Sequence, residues 1–589
     1  MLLQTARMRS LLRLAPLLAG LAVFPVAAQD STHAAEGAPP EIATGFAPKP
    51  LVRAQRFMAA TANGHATAAA IAMLRAGGSA ADAAIAAQLT LGLVEPQSSG
   101  LGGGAFALVW SAPEKRLFTF DGRETAPAAA TPTLFQDERG EPLSRLDAVI
   151  GGLSVGTPGT PRLLERLHQR SGRLPWAELF GPALRLAEEG FAVSPRLAAQ
   201  IADDAERLAR IPATAAYFLP GGRPLRAGET LRNPAYAETL KALRDGGADA
   251  FYEGPIAVDV VQAVRFAPTN PGLLAAGDLA RYQVVERDAV CAPYRLYEIC
   301  GMGPPSSGGI AVAQILGMLE PADIAGLGPA SAEAWRLIGD ASRLAFADRE
   351  RYVADPAFVP QPTRGLLARD YLADRARLLS GPRALDEAPA GRPKFSHAFV
   401  DGVALDLPAT SHLSIVDAEG NVVSMTTTIE AGFGSRLMAR GFLLNNELTD
   451  FSFRSHRDGT PVANRVEPGK RPRSTMAPTI VLKDGRPLLA LGSPGGSQIA
   501  GYVAKALVAR LDWRMDIAQA IALPNLVNRY GPFELEAGTS AEALGPALQA
   551  LGFRTVATDL TSGIQAVEIA PEGLLGAADP RREGGASGD

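Results

Sequence analysis

Between Ala66 and Leu91 the chain offers almost nothing to water. Ala66 to Ala76 is dense in alanine, the strongest helix former, and Gly77-Gly78 closes it at a natural C-cap position. Ser79-Ala-Ala-Asp82 has capping-box spacing and opens a second alanine-rich helix to about Leu91. Helices made almost wholly of small apolar residues lack a solvent face, so both are expected to be buried. Abundant Ala and Gly with only 6% aromatic residues fits close helix–sheet contact.

The rest of the chain supplies partners for them. Met58 to Asn63 and Ala105 to Trp110 read as strands, and about Thr160 to Ala250 is helix-rich with Pro and Gly breaks. From about Arg364 to Pro408 the sequence is rich in Pro, Arg and Ala with little periodicity, which predicts an exposed, mobile arm. The pattern then changes. His412 to Val416 alternates as a strand, Asp417 to Asn421 turns, and Val422 to Ile429 is a β-branched strand. Pro478 to Leu482 and Pro487 to Leu491 flank a turn, Gly492-Ser-Pro-Gly-Gly-Ser497 follows, and an apolar helix runs from about Gln498 to Leu511. The C-terminal third is therefore sheet-rich, with helices packed on it.

Composition and termini bound the class. The chain has 589 residues, 47% hydrophobic, enough for a sizeable core, and no repeat of fixed period. A formal net charge of −4 without a Lys/Arg run speaks against a nucleic-acid partner. Arg7, Arg9 and Arg13 precede an apolar stretch from Leu14 to Val26, and Val26-Ala-Ala28 resembles a signal-peptidase site before Gln29. Residues 1–28 are thus expected to be a signal peptide and 29–56 a flexible lead-in, giving a periplasmic or secreted protein without stable membrane insertion. An uncleaved anchor is the other reading of that segment. Cys291 and Cys300 either close a small loop across a hairpin in an oxidising compartment or remain unpaired thiols in strands.

Two motifs fail on context. Gly152-Leu-Ser-Val-Gly156 matches a nucleophile elbow, but Pro158, Gly159 and Pro161 follow where a helix must begin. Gly100 to Ala105 fits a dinucleotide fingerprint with helix and strand in the reverse order. The histidines His33, His65, His168, His397, His412 and His456 show no metal-ligand spacing, and no metal or other cofactor is implied. Two features do suggest chemistry. Gly495-Gly496 lies between a strand and a helix, where free N–H groups and the helix dipole suit an oxyanion hole. The predicted arm also abuts Thr410-Ser-His412, with Thr426, Thr427 and Thr428 across the turn. Residue chemistry alone stops at a hydrolase site.

Longer matches go further. Thr410-Ser-His-Leu-Ser-Ile-Val-Asp with Gly420-Asn421 resembles the start of the small subunit of the γ-glutamyltransferases. Leu444-Asn-Asn-Glu-Leu-Thr-Asp-Phe-Ser452, Lys470-Arg-Pro-Arg-Ser-Thr-Met476 and Gly492 to Ser497 resemble the same family. Upstream, Glu95 to Gly104, Asp121-Gly-Arg-Glu-Thr-Ala-Pro127, Pro304-Pro-Ser-Ser-Gly-Gly309 and Ala345-Phe-Ala-Asp-Arg349 also fit, in order, from about Phe57 to Asp579-Pro-Arg581.

The resemblance implies an α+β fold, a four-layer αββα sandwich of the N-terminal nucleophile hydrolase type. It also implies cleavage between Ala409 and Thr410 into a large subunit (57–409, its arm about 364–409) and a small one (410–589) that stay together as a heterodimer. By the same resemblance Thr410 is the nucleophile, Thr428 orients it, and Gly495 and Gly496 stabilise the oxyanion. Arg123 with Ser474 and Thr475 would hold a donor α-carboxylate; Glu447, Asp450 and Glu430 would hold its α-ammonium group. The partners implied are a γ-glutamyl donor such as glutathione and an amine, peptide or water acceptor. Two departures stand out. Glu430 occupies a position where the family usually has Asn, and the stretch from Ser452 to Lys470 is short and lacks tyrosine, which reduces a lid. A glutaryl or other dicarboxylyl amidase is the alternative on this scaffold, and an unprocessed exported binding protein is the non-enzyme alternative.

Overall fold

The computed structural model describes residues 45–395, 397–402 and 409–589. The expected signal peptide, most of the lead-in and the last residues of the arm, 403–408, lie outside the described residues. Two seven-stranded sheets, each with every pair antiparallel, form the middle of the molecule. One runs in the order Gly585–Gly588, Met58–Thr61, Thr410–Val416, Val422–Thr428, Gly104–Ser111, Arg116–Gly122, Val285–Arg287. The other runs Val52–Ala54, Gly573–Ala578, Gln565–Ala570, Arg486–Gly492, Thr479–Lys483, Tyr297–Gly301, Val290–Tyr294. Each sheet draws strands from both sides of the Ala409–Thr410 bond.

The period of two along a strand explains the layers. Leu413, Ile415, Val423 and Met425 face the helices Gly64–Arg75 and Ala80–Val94 in one apolar cluster. All fifteen residues of the second of these helices are buried, and its Ser79–Asp82 capping box is formed as the sequence predicts. His412, Ser414, Ser424 and Thr426 point the other way, toward the second sheet. Ser414 Oγ donates to the Gln565 carbonyl at 3.0 Å and Ser424 Oγ to that of Leu491 at 3.2 Å. The far face of the second sheet is covered by Gly308–Leu319, Ala332–Tyr352 and Ile499–Leu511, which share an apolar cluster with it. The result is the αββα sandwich.

Two sequence expectations need correction. The lead-in contains an edge strand, because Val52–Ala54 pairs with Leu574–Gly576 and satisfies backbone groups that would otherwise sit at an open sheet edge. The arm begins as helix rather than irregular chain, at Thr363–Leu366 and Arg369–Arg377. Tyr371, Leu372, Arg375 and Ala376 bury one face of the latter, and Tyr371 donates its hydroxyl to Asp348 at 2.6 Å. Nine residues are too few for their apolar spacing to show through so many Arg and Pro. Of the two readings for the cysteines, the disulfide is formed, since Cys291 and Cys300 face each other in the hairpin register.

Candidate active site

The antiparallel register sets Thr410 directly opposite Thr428 on one face, which brings their side chains together. Thr410 Oγ1 donates to Thr428 Oγ1 across a loose 3.4 Å. The Thr428 oxygen also accepts the Glu430 N–H at 2.8 Å, while its own proton goes to the Ala409 carbonyl at 2.7 Å. A hydroxyl has one proton and two lone pairs, so all three are used and the polarity is fixed. The group aimed at the carbonyl next to Thr410 is therefore a donor. The resemblance assigned Thr428 only an orienting role, since this second contact depends on the strand register. Glu430 itself sits at φ 78°, a left-handed backbone that few non-glycine residues adopt, and that bend turns its N–H onto Thr428.

Beside this pair lies a buried cation in a nest of acids. Arg123 follows the strand Arg116–Gly122, and its guanidinium bridges Glu447 and Asp450, the latter at 2.5 Å. It also donates to the Arg473 carbonyl at 2.8 Å and the Pro472 carbonyl at 3.2 Å. Glu447 and Asp450 occupy the two ends of one short 3-10 turn, which sends both carboxylates the same way. Asn446 donates its side-chain amide to Glu430. The sequence reading placed Arg123 and the two acids on opposite ends of a zwitterion; in the structure they pair directly.

Sequence reasoning passed over Glu124. It is fully buried, with its carboxyl group set against that of Glu447. Burial, opposed by Arg123, pushes the Glu124 carboxyl up to about 7 and holds the Glu447 carboxyl above the usual range, with Asp450 adding to both. Its signal was present in the Asp121–Pro127 match, but strand alternation alone would turn it away from Arg123.

Arg123, Thr410, Thr428, Glu430, Glu447, Asp450, Ser474, Thr475, Met476, Gly496 and Ile499 line one small pocket, with a cavity of about 10 Å³. All the sequence-derived side chains thus meet there. Gly496 lines it and Gly495 lies one residue behind; both have positive φ, 54° and 132°, and a side chain on Gly495 would strike the Tyr502 ring. They lead through a 3-10 turn into the helix Ile499–Leu511. His412 is not part of this pocket. Its ring is held by Thr426 Oγ1 at 2.8 Å and Ser414 Oγ at 3.1 Å, and burial pushes its pKa down to about 3. Ser154 of the false elbow donates to the Val149 and Gly151 carbonyls in a 3-10 turn. Cys291, Glu298 and Cys300 gather ligand-type atoms, but both sulfurs are consumed by the disulfide.

A threonine opening a central strand of an αββα sandwich, beside a buried arginine paired with two acids, is the arrangement of the N-terminal nucleophile hydrolases. A family model described as gamma-glutamyltranspeptidase matches residues 66–589. The glutathione hydrolase proenzyme of Bacillus subtilis (strain 168) is 36% identical over 583 residues, 96% of this chain and 97% of that protein. The acylase ACY 1 proenzyme of Pseudomonas sp. (strain SE83) is 36% identical over 554 residues, 92% of this chain and 96% of that one. In structure, the cephalosporin acylase of Bacillus halodurans superposes with a TM-score of 0.81 at 25% identity, covering 93% of this chain and 99% of its own. The chain belongs to the γ-glutamyltranspeptidase family and is an enzyme of that family. Among the described residues, no helix is long and apolar enough to cross a membrane.

Proposed function

We propose that the chain cuts itself before Thr410 and then hydrolyses or transfers γ-glutamyl amides, glutathione among them, through a γ-glutamyl ester on Thr410. Thr410 Oγ adds to the Ala409 carbonyl carbon, whose oxygen already accepts the Thr428 proton. Collapse breaks the C–N bond as the Oγ proton passes to the nitrogen, leaving an ester on Oγ and a free α-amine, and water cleaves the ester to an Ala409 carboxylate and the free Thr410 hydroxyl. That amine has a reference pKa of about 7.7–8.0 and serves as general base near neutrality. It takes the Oγ proton as Oγ attacks the γ-amide, and Gly495 and Gly496 N–H groups steady the oxyanion. The proton passes to the departing amine. Water or an amine or peptide acceptor then removes the acyl group.

The arrangement of Arg123 between Glu447 and Asp450, beside Thr410, carries this reading. A zwitterionic α-amino acid head matches it: the planar guanidinium suits the carboxylate, with Ser474 and Thr475, and the acids suit the ammonium. Arg123→Ala should raise KM for a γ-glutamyl anilide by about tenfold or more, the scale of a charge-assisted contact. An unchanged KM in that variant would end the γ-glutamyl assignment. Glu430 favours a second reading as a glutaryl or other dicarboxylyl amidase, and a relative named as an acylase supports it. Parallel kinetics on γ-glutamyl and glutaryl anilides, the latter lacking the amino group, decide between them. The two pieces, 57–409 and 410–589, remain joined because both sheets interleave strands from each. The basic and apolar residues before Gln29 direct the protein to the periplasm or the exterior.

A further inference from the structure

Behind the pocket lies a second tier of arginine that the proposed chemistry does not use. Arg349 sits in the last turn of the helix Ala332–Tyr352, on the outer side of the second sheet, and is buried. Its Nη2 donates to Thr475 Oγ1 at 2.8 Å and its Nε to Ser307 Oγ at 3.0 Å, while Nη1 pairs with Glu350. Ser307 passes the constraint on. Its hydroxyl and its N–H both donate to the Ser474 carbonyl, each at 2.7 Å. The Ser474 N–H donates in turn to the Pro305 carbonyl at 3.1 Å, so Ser474 is gripped on both sides by residues 305–307. Arg473 closes the frame, donating to the Arg349 carbonyl at 3.0 Å and to Glu350 at 2.6 Å.

The polarity of these bonds has a consequence. Guanidinium groups donate and never accept. Arg349 therefore occupies a lone pair of Thr475, and the Thr475 proton must be given elsewhere; Thr475 lines the pocket beside Arg123. A hydroxyl whose oxygen is held by a buried cation is a fixed and strengthened donor, suited to an anion. We infer that Arg349, acting through Thr475 and through Ser307, is a positioning residue that sets the Ser474–Thr475 pair to recognise the donor's α-carboxylate. It does not touch the substrate. Arg123 supplies the charge and Arg349 fixes the direction of the neutral donors.

This inference rests on the reading that Ser474 and Thr475 hold that carboxylate. The test uses the processed full-length enzyme and two anilides: γ-glutamyl, and 4-aminobutyryl, which has the same acyl chain and ammonium but no carboxylate. Arg349→Gln should still release a fragment beginning at Thr410 and keep kcat within about twofold. Its KM for the γ-glutamyl anilide should rise about tenfold, as for loss of a charged hydrogen bond, with kcat/KM for the 4-aminobutyryl anilide unchanged. Ser307→Ala, which removes one hydroxyl and leaves the buried ions intact, should raise the same KM about threefold. In a Thr475→Val background, Arg349→Gln should add only the roughly threefold that runs through Ser307, since the path through Thr475 is already cut. A wild-type enzyme that treats the two anilides alike removes the carboxylate reading and this inference with it. A wild type that discriminates, with discrimination undiminished in Arg349→Gln or with equal loss on both substrates, overturns the role of Arg349 alone. Should Arg349→Gln fail to fold, an unchanged KM in Ser307→Ala is the contradicting result.

Discussion

Thr410 and His412 stand two residues apart on one face of one strand, each opposite a threonine of the next strand, and they have opposite fates. At Thr410 the face looks into a pocket, and its partner Thr428 spends its proton on the Ala409 carbonyl. At His412 the face meets the second sheet, so closely that a side chain on Gly492 would collide with the imidazole. There Thr426 and Ser414 satisfy both ring nitrogens, and the ring is kept neutral. A histidine beside a row of hydroxyls looks like a catalytic base in sequence. Two positions on one strand face thus differ by what lies opposite them: a pocket at Thr410 and the packed second sheet at His412.

The sharpest way to break this contrast is to remove each group. Thr410→Ala should yield no fragment and lower turnover by roughly four orders of magnitude or more, since removing a nucleophile from a concerted set costs about as much as removing the set. Thr428→Val, close in shape, should slow the appearance of the fragment by about a hundredfold, the usual scale for one oxyanion-type donor. His412→Gln should process and turn over within about twofold of the parent; a large kinetic loss would join His412 to the site and undo the comparison. Its effect should fall on stability, with about 1–3 kcal/mol lost as a buried hydroxyl goes unpaired.

The pH dependence of that last variant sharpens the contrast. The folded His412 pKa is held near 3, below its ordinary value of 6.5. The unfolded chain therefore gains a proton as pH drops through 6.5, whereas the folded chain resists until near 3. The parent loses stability across that window, and the variant lacks this loss. Thermal melts should show the gap between parent and His412→Gln narrowing from pH 7 to pH 4. A gap that stays constant would mean His412 is not sealed as described.

Much of this was legible in sequence for particular reasons. The Thr410 strand shows in its alternation and the Val422 strand in its β-branched residues, and the Ser79–Asp82 box fixes a helix start to the residue. The pocket residues Arg123, Glu447, Asp450, Ser474 and Thr475 came from order-preserving motif matches, because no local periodicity links positions some 350 residues apart. What stayed hidden depends on three-dimensional register. Thr428 reaching Ala409, Arg349 reaching Thr475, and Glu124 sharing the acid cluster each join elements whose alignment no single segment specifies. The helix Arg369–Arg377 was hidden for a different reason: its buried face is built partly from arginine, as Arg375 donates to the carbonyls of Leu344 and Pro389.

The central claim is that Thr410 becomes a chain terminus and carries both nucleophile and base. Denaturing mass spectrometry of the purified protein, with N-terminal sequencing of any smaller piece, tests it directly. The account predicts two chains, the smaller beginning at Thr410. A single intact chain after prolonged incubation would contradict it, for Thr410 would then have no free amine to act as base.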